Sequence, residues 1–401
     1  MNSQSLNILH ITPWVGKGST GLGSLSLDLA RSQNDLGYDA QLWCLDDKPN
    51  LQWASALSGL RADRIRGFAS TRLGVPGFSL EMERAAASVE NRDVAVVHQH
   101  GLWAGVSRVT NVLRKVQKAS TVVAPQGSLH RWALQRSWWK KKLALAFYES
   151  RNLNESSCLH AVSENEIRDC RDFGLRNPIA VIPNGVSRDW LNSRGAAEAF
   201  RHRFGIPDHK RVLLFLSRVS PKKGLLMLLE AVHNIEKDFA DWELVIAGAD
   251  EFGHQAEVES CVRQRGLTKY VRIVGPLFDQ AKRDAYAAAD LFVLPSFSEG
   301  APVVILEALG AEVPVLATKA SPWQELETYG CGWWVDIGTA PLSDALKDAV
   351  RRSPEDLKMM GRQGRELVAS RYSWTTCAQM TIELYEWLLR RKQRPGFVVT
   401  E

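Results

Sequence analysis

The stretch RVLLFLSRVSPKKGLLMLLEAVHNIEKDFADWELVIAGAD, residues 211–250, decides the fold. RVLLFLSRV is a short apolar run that reads as a buried strand, GLLMLLEAVHNI reads as a helix, and WELVIAGAD reads as a second strand. A strand, a covering helix and a strand in that order make a parallel pair. The rhythm continues toward the C-terminus in VRIVGPL, ADLFVLPSF and VPVLAT. It also runs back toward the N-terminus, through LNILHITPW, the helical SLSLDLARSQNDLGY, DAQLWCL, VAVVHQHG (94–101), STVVAP, CLHAVS and IAVIPNGV. The fold class is therefore α/β, with two doubly wound halves, each a parallel sheet covered on both faces. The polar, Gly-containing segment PNGVSRDWLNSRGAAEAFRHRFGIPDHK joins them at about residues 186–208. Ligands sit at the carboxyl ends of the strands in such sheets, so two halves facing each other predict a deep cleft between domains.

The chain has 401 residues, enough for two domains, and 45% of them are apolar, enough for full cores. The net charge of +5 suits a phosphorylated small molecule or an anionic membrane surface, and is too weak and scattered to argue for nucleic acid. None of the six cysteines stands in a C-x-x-C spacing, so neither a zinc site nor a redox motif is visible. Low cysteine use points to a reducing compartment. The start, MNSQSLNILHITPW, lacks the form of a signal peptide, and the longest apolar runs fall short of a membrane span. The expectation is a cytoplasmic protein able to meet the inner face of a membrane.

Three segments can carry chemistry. In FLSRVSPKKG, Arg218 ends a strand and Lys223 precedes a helix N-terminus, which makes a diphosphate clamp; a solvated turn with incidental lysines is the alternative. In VIAGAD, Gly248 at a strand end lets a backbone approach a ligand, or is a plain turn glycine. No G-x-G-x-x-G fingerprint occurs, which weakens a nicotinamide dehydrogenase reading. In SFSEGAPVVILEALGAEVPVLAT, Gly300 gives the turn backbone freedom and Pro302 suits the first helical turn. The N–H groups from Gly300 through Ala301 to Val303 then form a phosphate site. Glu299 and Glu307 could accept hydrogen bonds from two sets of sugar hydroxyls. The alternatives are a loop carboxylate at a positive helix end, worth roughly 0.3–1 kcal/mol, and a surface helix residue. A buried Glu307 would need a partner.

Together these motifs resemble glycosyltransferase family 4, retaining nucleotide-sugar transferases of the GT-B fold, in which two Rossmann-like domains face across a cleft. SRVSPKKG resembles the family's donor clamp. LVIAGAD resembles its L-x-I-x-G-x-G strand, with Ala249 and Asp250 replacing the usual ending, and SEGAPVVILEALGAEVPVLAT resembles its E-x7-E segment. AVIPNGV resembles the strand before the linker, and YSWTTCAQMTIELYEWLL the C-terminal helix that crosses back onto the first domain. The resemblance thus implies an acceptor-side domain at 1–186 joined by a crossing helix at 375–392, and a nucleotide-sugar domain at 187–374. STGLGSLSLDLARSQNDLGYDAQLW resembles the glycine loop and first helix, the glycine pair being broken by Thr20. VVHQHGLW and APQGSLHRWAL resemble a bacterial polysaccharide-assembly branch, in which Arg often stands in place of Gln126.

The resemblance implies a catalytic set of His100, Glu299, Arg218 and Lys223. Arg218 and Lys223 neutralise the donor diphosphate, Glu299 holds the transferred sugar, and His100 faces it from the first domain. A satisfied strand-end histidine is the alternative for His100, and His98 shows that histidines here need not be catalytic. Gly21, Gly23, Gly248, Gly300, Ala301, Pro302 and Glu307 would bind substrate, with Glu307 on the ribose. No metal and no cofactor is implied, and the pair Asp46–Asp47 reads as a solvated loop. The partners are a nucleoside-diphosphate sugar donor and a saccharide or lipid-linked acceptor. LHRWALQRSWWKKKLALAFYE, residues 129–149, sets Trp132, Trp138 and Trp139 beside three lysines. It reads as a peripheral membrane contact or as a helix whose aromatic face is core. Competing functions are a non-catalytic sugar-nucleotide-binding subunit, a sugar-nucleotide epimerase and, least favoured, a glycoside hydrolase.

Overall fold

The computed structural model describes residues 6–16, 21–71, 77–88, 94–135, 137–192 and 195–400, the side chains of Trp132, Arg188 and Asp189 excepted. It divides into two compact units, one of Met1–Gly185 with Trp374–Glu401, the other of Val186–Ser373. The first unit contains strands β1 (Asn7–Ile11), β2 (Asp39–Cys44), β3 (Ile65–Gly67), β4 (Val96–His100), β5 (Ser120–Ala124), β6 (Cys158–Ala161) and β7 (Ile179–Val181). The second contains β8 (Arg211–Leu216), β9 (Trp242–Ala247), β10 (Val271–Gly275), β11 (Leu291–Leu294), β12 (Val315–Thr318) and β13 (Gly332–Val335). A last short strand, β14 (Val398–Val399), returns to the first unit and lies antiparallel to β7.

The sheet orders are β14-β7-β6-β5-β4-β1-β2-β3 and β10-β9-β8-β11-β12-β13. All pairs but the β14–β7 pair are parallel, because helical crossovers connect the strands and cover both faces. Every residue of β6, β9, β11 and β12 is buried, as strands sandwiched between helix layers require. Strand β4 is also wholly buried, yet reads VVHQH. Polar side chains in such a place need hydrogen-bond partners, and they mark β4 as the unusual strand of the first sheet.

In each sheet the chain reverses its direction of travel once. It goes from β1 outward to β2 and β3, then returns to the other side of β1 as β4; likewise from β8 to β9 and β10, then back as β11. The crevices at the carboxyl ends of β1 and β4, and of β8 and β11, are the places where such sheets hold ligands.

The helix Trp374–Leu388 buries Trp374, Cys377, Ala378, Thr381, Ile382, Leu384 and Tyr385, a helical stripe that packs on the helix Gly21–Asp35. It stops short of the expected residue 392. Arg390 takes φ 58°, and the Arg391 N–H reaches back to the Glu386 carbonyl at 2.7 Å, a Schellman ending.

Candidate active site

The loops after β8, β9 and β11 are drawn together at two glycines. Gly248 sits so close to the Ser217 carbonyl that a Cβ there would lie 1.7 Å from the oxygen. The close approach that was read as room for a ligand is made first by the chain's own backbone. Val219 and Asp250 bridge the same two loops, which sets Glu251 beside Arg218. Arg218 Nη1 donates to Glu251 Oε1 at 2.7 Å, and the arginine stays 61% exposed. Gly224, at φ 70°, lies against the Pro295 carbonyl, 2.0 Å from where a Cβ would be. The Phe297 N–H donates to the Lys222 carbonyl at 2.9 Å, and so the β8 and β11 loops close on each other.

That closure makes an ion pair. Lys223 Nζ lies 2.6 Å from Glu299 Oε1, both side chains only 8% exposed, and the Ser296 hydroxyl donates to the same oxygen at 2.5 Å. The Glu299 N–H donates to the Ala320 carbonyl, which fixes the carboxylate's own backbone. Burial pushes the neighbouring Lys222 amine below its usual range, the Glu299 charge opposing. Lys223 and Glu299, expected to serve different parts of a ligand, are paired with each other in the structure.

Glu307 has its own cation. On the helix Val303–Gly310, its Oε1 takes Lys282 Nζ at 2.6 Å and its Oε2 the Tyr286 hydroxyl at 3.2 Å. Lys282 and Tyr286 lie on the helix Asp279–Ala288, and Trp190 Nε1 donates to the Glu307 carbonyl at 2.9 Å. Burial, and then the Glu307 charge, raises the Tyr286 hydroxyl well above the usual phenol value. Glu307 is thus a partnered, mostly buried carboxylate and not a surface one. Lys282, Tyr286 and Trp190 escaped the sequence reading, since only the fold sets them around residue 307. Gly300 shows no positive φ, so backbone freedom is not what a glycine supplies there. Gly300 and Ala301 are half-buried, and buried Pro302, extended at φ −71° and ψ 107°, leads directly into the helix.

In the first unit, Gly21 is exposed and Gly23 buried in the first turn of the helix Gly21–Asp35, while residues 17–20, including Thr20, lie outside the described residues. Asp46 is not merely solvated: it accepts the N–H groups of Val15 (2.6 Å) and Gly16 (3.1 Å), and Asp47 caps the helix Lys48–Ser58. His100, at the end of β4, is 2% exposed. It belongs to a cluster that the sequence reading did not foresee. His100 Nε2 lies 2.9 Å from His10 Nδ1, and His10 Nε2 lies 2.8 Å from Gln33 Oε1. His98 Nδ1 meets the Tyr385 hydroxyl at 2.6 Å, and His98 Nε2 meets His160 Nδ1 at 3.1 Å. Burial pushes His10 and His160 down to about 4, and His98 and His100 well below the usual imidazole value, so all four rings are neutral at neutral pH. His10, His98 and His100 offer nitrogens close enough for one metal ion, and within this set one pair, His10 Nδ1 and His100 Nε2, is hydrogen-bonded, while His98 is turned to Tyr385 and His160.

A small cavity beside His100 and His160 is lined also by Gln126, Asn184, Trp374 and Thr381. Gln126, at φ 52°, faces Asn184 at 3.5 Å, and buried Glu166, pushed up to about 7 by desolvation, holds the next N–H, that of Gly127, at 2.5 Å. His100 Nδ1 is buried and has no hydrogen-bond partner among the described residues. Within residues 129–149, the helix Trp138–Ala144 does not bury its aromatic face: Trp138 is 56% exposed, Trp139 54% and nearby Phe147 77%. The Lys142 and Lys140 amines lie over the Trp138 and Trp139 rings at 4.7 and 5.4 Å.

Residues 20–185 match the family described as Glycosyl transferase 4-like domain, and residues 196–367 the family described as Glycosyl transferases group 1. The chain is 31% identical over 216 residues to phosphatidyl-myo-inositol mannosyltransferase of Mycobacterium leprae, which covers 53% of this chain and 54% of that protein. It spans about half the length of the curated relatives it matches. Sucrose-phosphate synthase from Thermosynechococcus elongatus superposes with a TM-score of 0.74 at 18% identity, over 96% of this chain and 100% of that one. HepE of Anabaena, solved with UDP and glucose, does so with a TM-score of 0.74 at 18% identity, over 95% and 100%. At these identities the structural likeness shows the fold alone.

Proposed function

Since the chain belongs to the GT-B glycosyltransferases of the family 4 and group 1 type, we propose that it moves a sugar from a nucleoside-diphosphate donor to a saccharide or lipid-linked acceptor. The reading includes retained anomeric configuration and independence of metal. It rests on one observation above all: the buried Lys223–Glu299 pair in the crevice between β8 and β11. A cation and a carboxylate held together there are complementary to the two halves of a nucleotide sugar. The diphosphate takes over Lys223 and the exposed Arg218, and Glu299 turns its acceptor capacity to the sugar hydroxyls. Glu307, oriented by Lys282 and Tyr286, serves the ribose.

The reaction breaks the bond between the anomeric carbon and the diphosphate oxygen. Positive charge gathers on the sugar ring, and negative charge on the leaving diphosphate, which Lys223 and Arg218 offset in place of a metal. Retention follows when the acceptor enters on the face the diphosphate leaves, its proton passing to the leaving oxygen. His100 offers its Nδ1, which has no partner among the described residues, to a hydroxyl of the transferred sugar. Trp138, Trp139 and Phe147, with Lys140 and Lys142 among them, suit an anionic membrane surface that presents a lipid-linked acceptor on the cytoplasmic side. Among the described residues, no helix is long and apolar enough to cross a membrane.

The test is release of nucleoside diphosphate from a panel of UDP-, GDP- and ADP-sugars. One donor should turn over in the wild type, with turnover lost in Glu299→Ala and reduced in Arg218→Ala. Absence of binding to every donor would sink the reading. Flotation with anionic vesicles at low salt tests the membrane part, which fails if no protein rises with the lipid.

A further inference from the structure

The histidine cluster has a direction of proton donation that its surroundings determine. The Thr381 hydroxyl donates to the Ala378 carbonyl at 2.8 Å, as a hydroxyl inside a helix can. Its oxygen then accepts from Gln33 Nε2 at 2.9 Å, which orients the amide. Gln33 Oε1 is left facing His10 Nε2 at 2.8 Å, and an amide oxygen can only accept, so His10 carries its proton on Nε2. A neutral imidazole with Nε2–H has a bare Nδ1. At 2.9 Å that Nδ1 requires a donor, and His100 supplies its Nε2–H. His100, a neutral ring, is then left with a bare Nδ1, the same atom that is buried without a partner among the described residues.

A second chain, joined to the first where Gln33 Nε2 meets the Tyr385 hydroxyl at 3.4 Å, assigns the tautomers of the other two neutral rings. The Ile182 carbonyl accepts from His160 Nε2 at 2.8 Å, His160 Nδ1 accepts from His98 Nε2, and His98 Nδ1 accepts from the Tyr385 hydroxyl. Every donor in the two chains has an acceptor, the Gln33 amide nitrogen having two. Among the described residues the single unfilled position of the two chains is His100 Nδ1, on the ring that lines the small cavity with Gln126 and Asn184.

We propose that His10 is a positioning residue: anchored through Gln33 to Thr381, it locks His100 in the tautomer that presents Nδ1 as a hydrogen-bond acceptor for a hydroxyl of the sugar. The proposal rests on the transferase reading for the identity of the ligand, and on the structure alone for the tautomer. Without His10 the Nε2–H of His100 has no acceptor in its buried setting, and the proton moves to Nδ1. His100 then offers a hydrogen-bond donor where the wild type offers an acceptor.

The experiment combines long-range proton–nitrogen NMR correlation on protein labelled in the histidine rings, His100 being assigned by the signal lost in His100→Asn, with nucleoside diphosphate release. The wild type should show His100 protonated on Nε2. His10→Phe keeps a ring but no acceptor. It should move the proton to Nδ1 and lower kcat/KM roughly 10- to 100-fold, the range seen when an orienting partner is removed. His10→Asn restores an acceptor oxygen near the place of Nδ1 and should recover both the tautomer and most of the rate. Gln33→Leu, which leaves His10 in place, should mix the two tautomers of His100 if His10→Phe fails to fold. The proposal is overturned by a wild-type His100 protonated on Nδ1, by an unchanged tautomer in both His10→Phe and Gln33→Leu, or by equal losses of rate in His10→Phe and His10→Asn. The tautomer is read without substrate. Failure of every donor to turn over would therefore overturn the transferase reading while the nitrogen spectrum still decides the lock.

Discussion

The two sheets have the same kind of switch point but fill it with opposite chemistry. Between β8 and β11 the side chains are charged and paired, Lys223 with Glu299 and, on the adjoining helices, Lys282 with Glu307. Between β1 and β4 they are neutral imidazoles, linked to one another and to Gln33 and Tyr385. Topology places both crevices, since each lies where the strand order reverses. What each can hold depends on how its polar groups are satisfied. An ion pair can exchange partners with an incoming anion. A chain of neutral hydrogen bonds fixes a pattern of donors and acceptors and leaves one end open.

The sharpest way to break the contrast is to remove one partner from each crevice. Lys223→Met leaves Glu299 buried without its cation and should destabilise the second unit by about 3–5 kcal/mol, read by urea unfolding. Glu299→Gln keeps the shape of the site and should lower nucleoside diphosphate release roughly 10²- to 10³-fold. A variant with the rate of the wild type would remove Glu299 from the site. In the first unit, Tyr385→Phe deletes the hydroxyl given to His98 and should cost about 1–3 kcal/mol, since a buried acceptor is left unmet.

Acid distinguishes the two crevices further. The imidazoles of His10 and His160 titrate near 4 in the fold, below the value near 6.5 they have in an unfolded chain. The unfolded state therefore binds more protons throughout that interval. The stability these groups confer is fully present above about pH 6.5 and is lost as the pH falls toward 4, with His98 and His100 acting in the same sense. Amide protection factors, taken relative to the intrinsic exchange rate at each pH, should fall in β1 and β4 on going from neutral pH to about pH 5, and less in β8 and β11. An equal loss of protection in both sheets would contradict the assignment of neutral rings. The smallest effect belongs to Arg218→Ala. Its pair with Glu251 is exposed, so stability should change by less than about 1 kcal/mol, while donor turnover falls. A loss of both together would make Arg218 structural.

Much of this was legible in the order of residues. The apolar runs RVLLFL and WELVIA are continuous because both faces of their strands are covered, and that continuity is a local property. The spacing of Arg218, Lys223, Glu299 and Glu307 after strands pointed to the crevice for the same reason. The partners of the two glutamates were not legible. Lys223 and Glu299 are 76 residues apart, and Lys282 and Glu307 lie on different helices. Nor did the tryptophans of 129–149 announce on which side of their helix the core would lie.

The sequence by itself determined the two parallel sheets, the place of their crevices and the kinds of residue near the second one. Periodicity and strand order are set by short-range sterics and by which side chains must leave water. The tertiary structure alone decided which carboxylate meets which lysine and which nitrogen of each histidine carries a proton. Those choices follow from burial, because a polar group taken out of water must find its partner among whatever the fold brings within hydrogen-bonding distance, however distant in the chain.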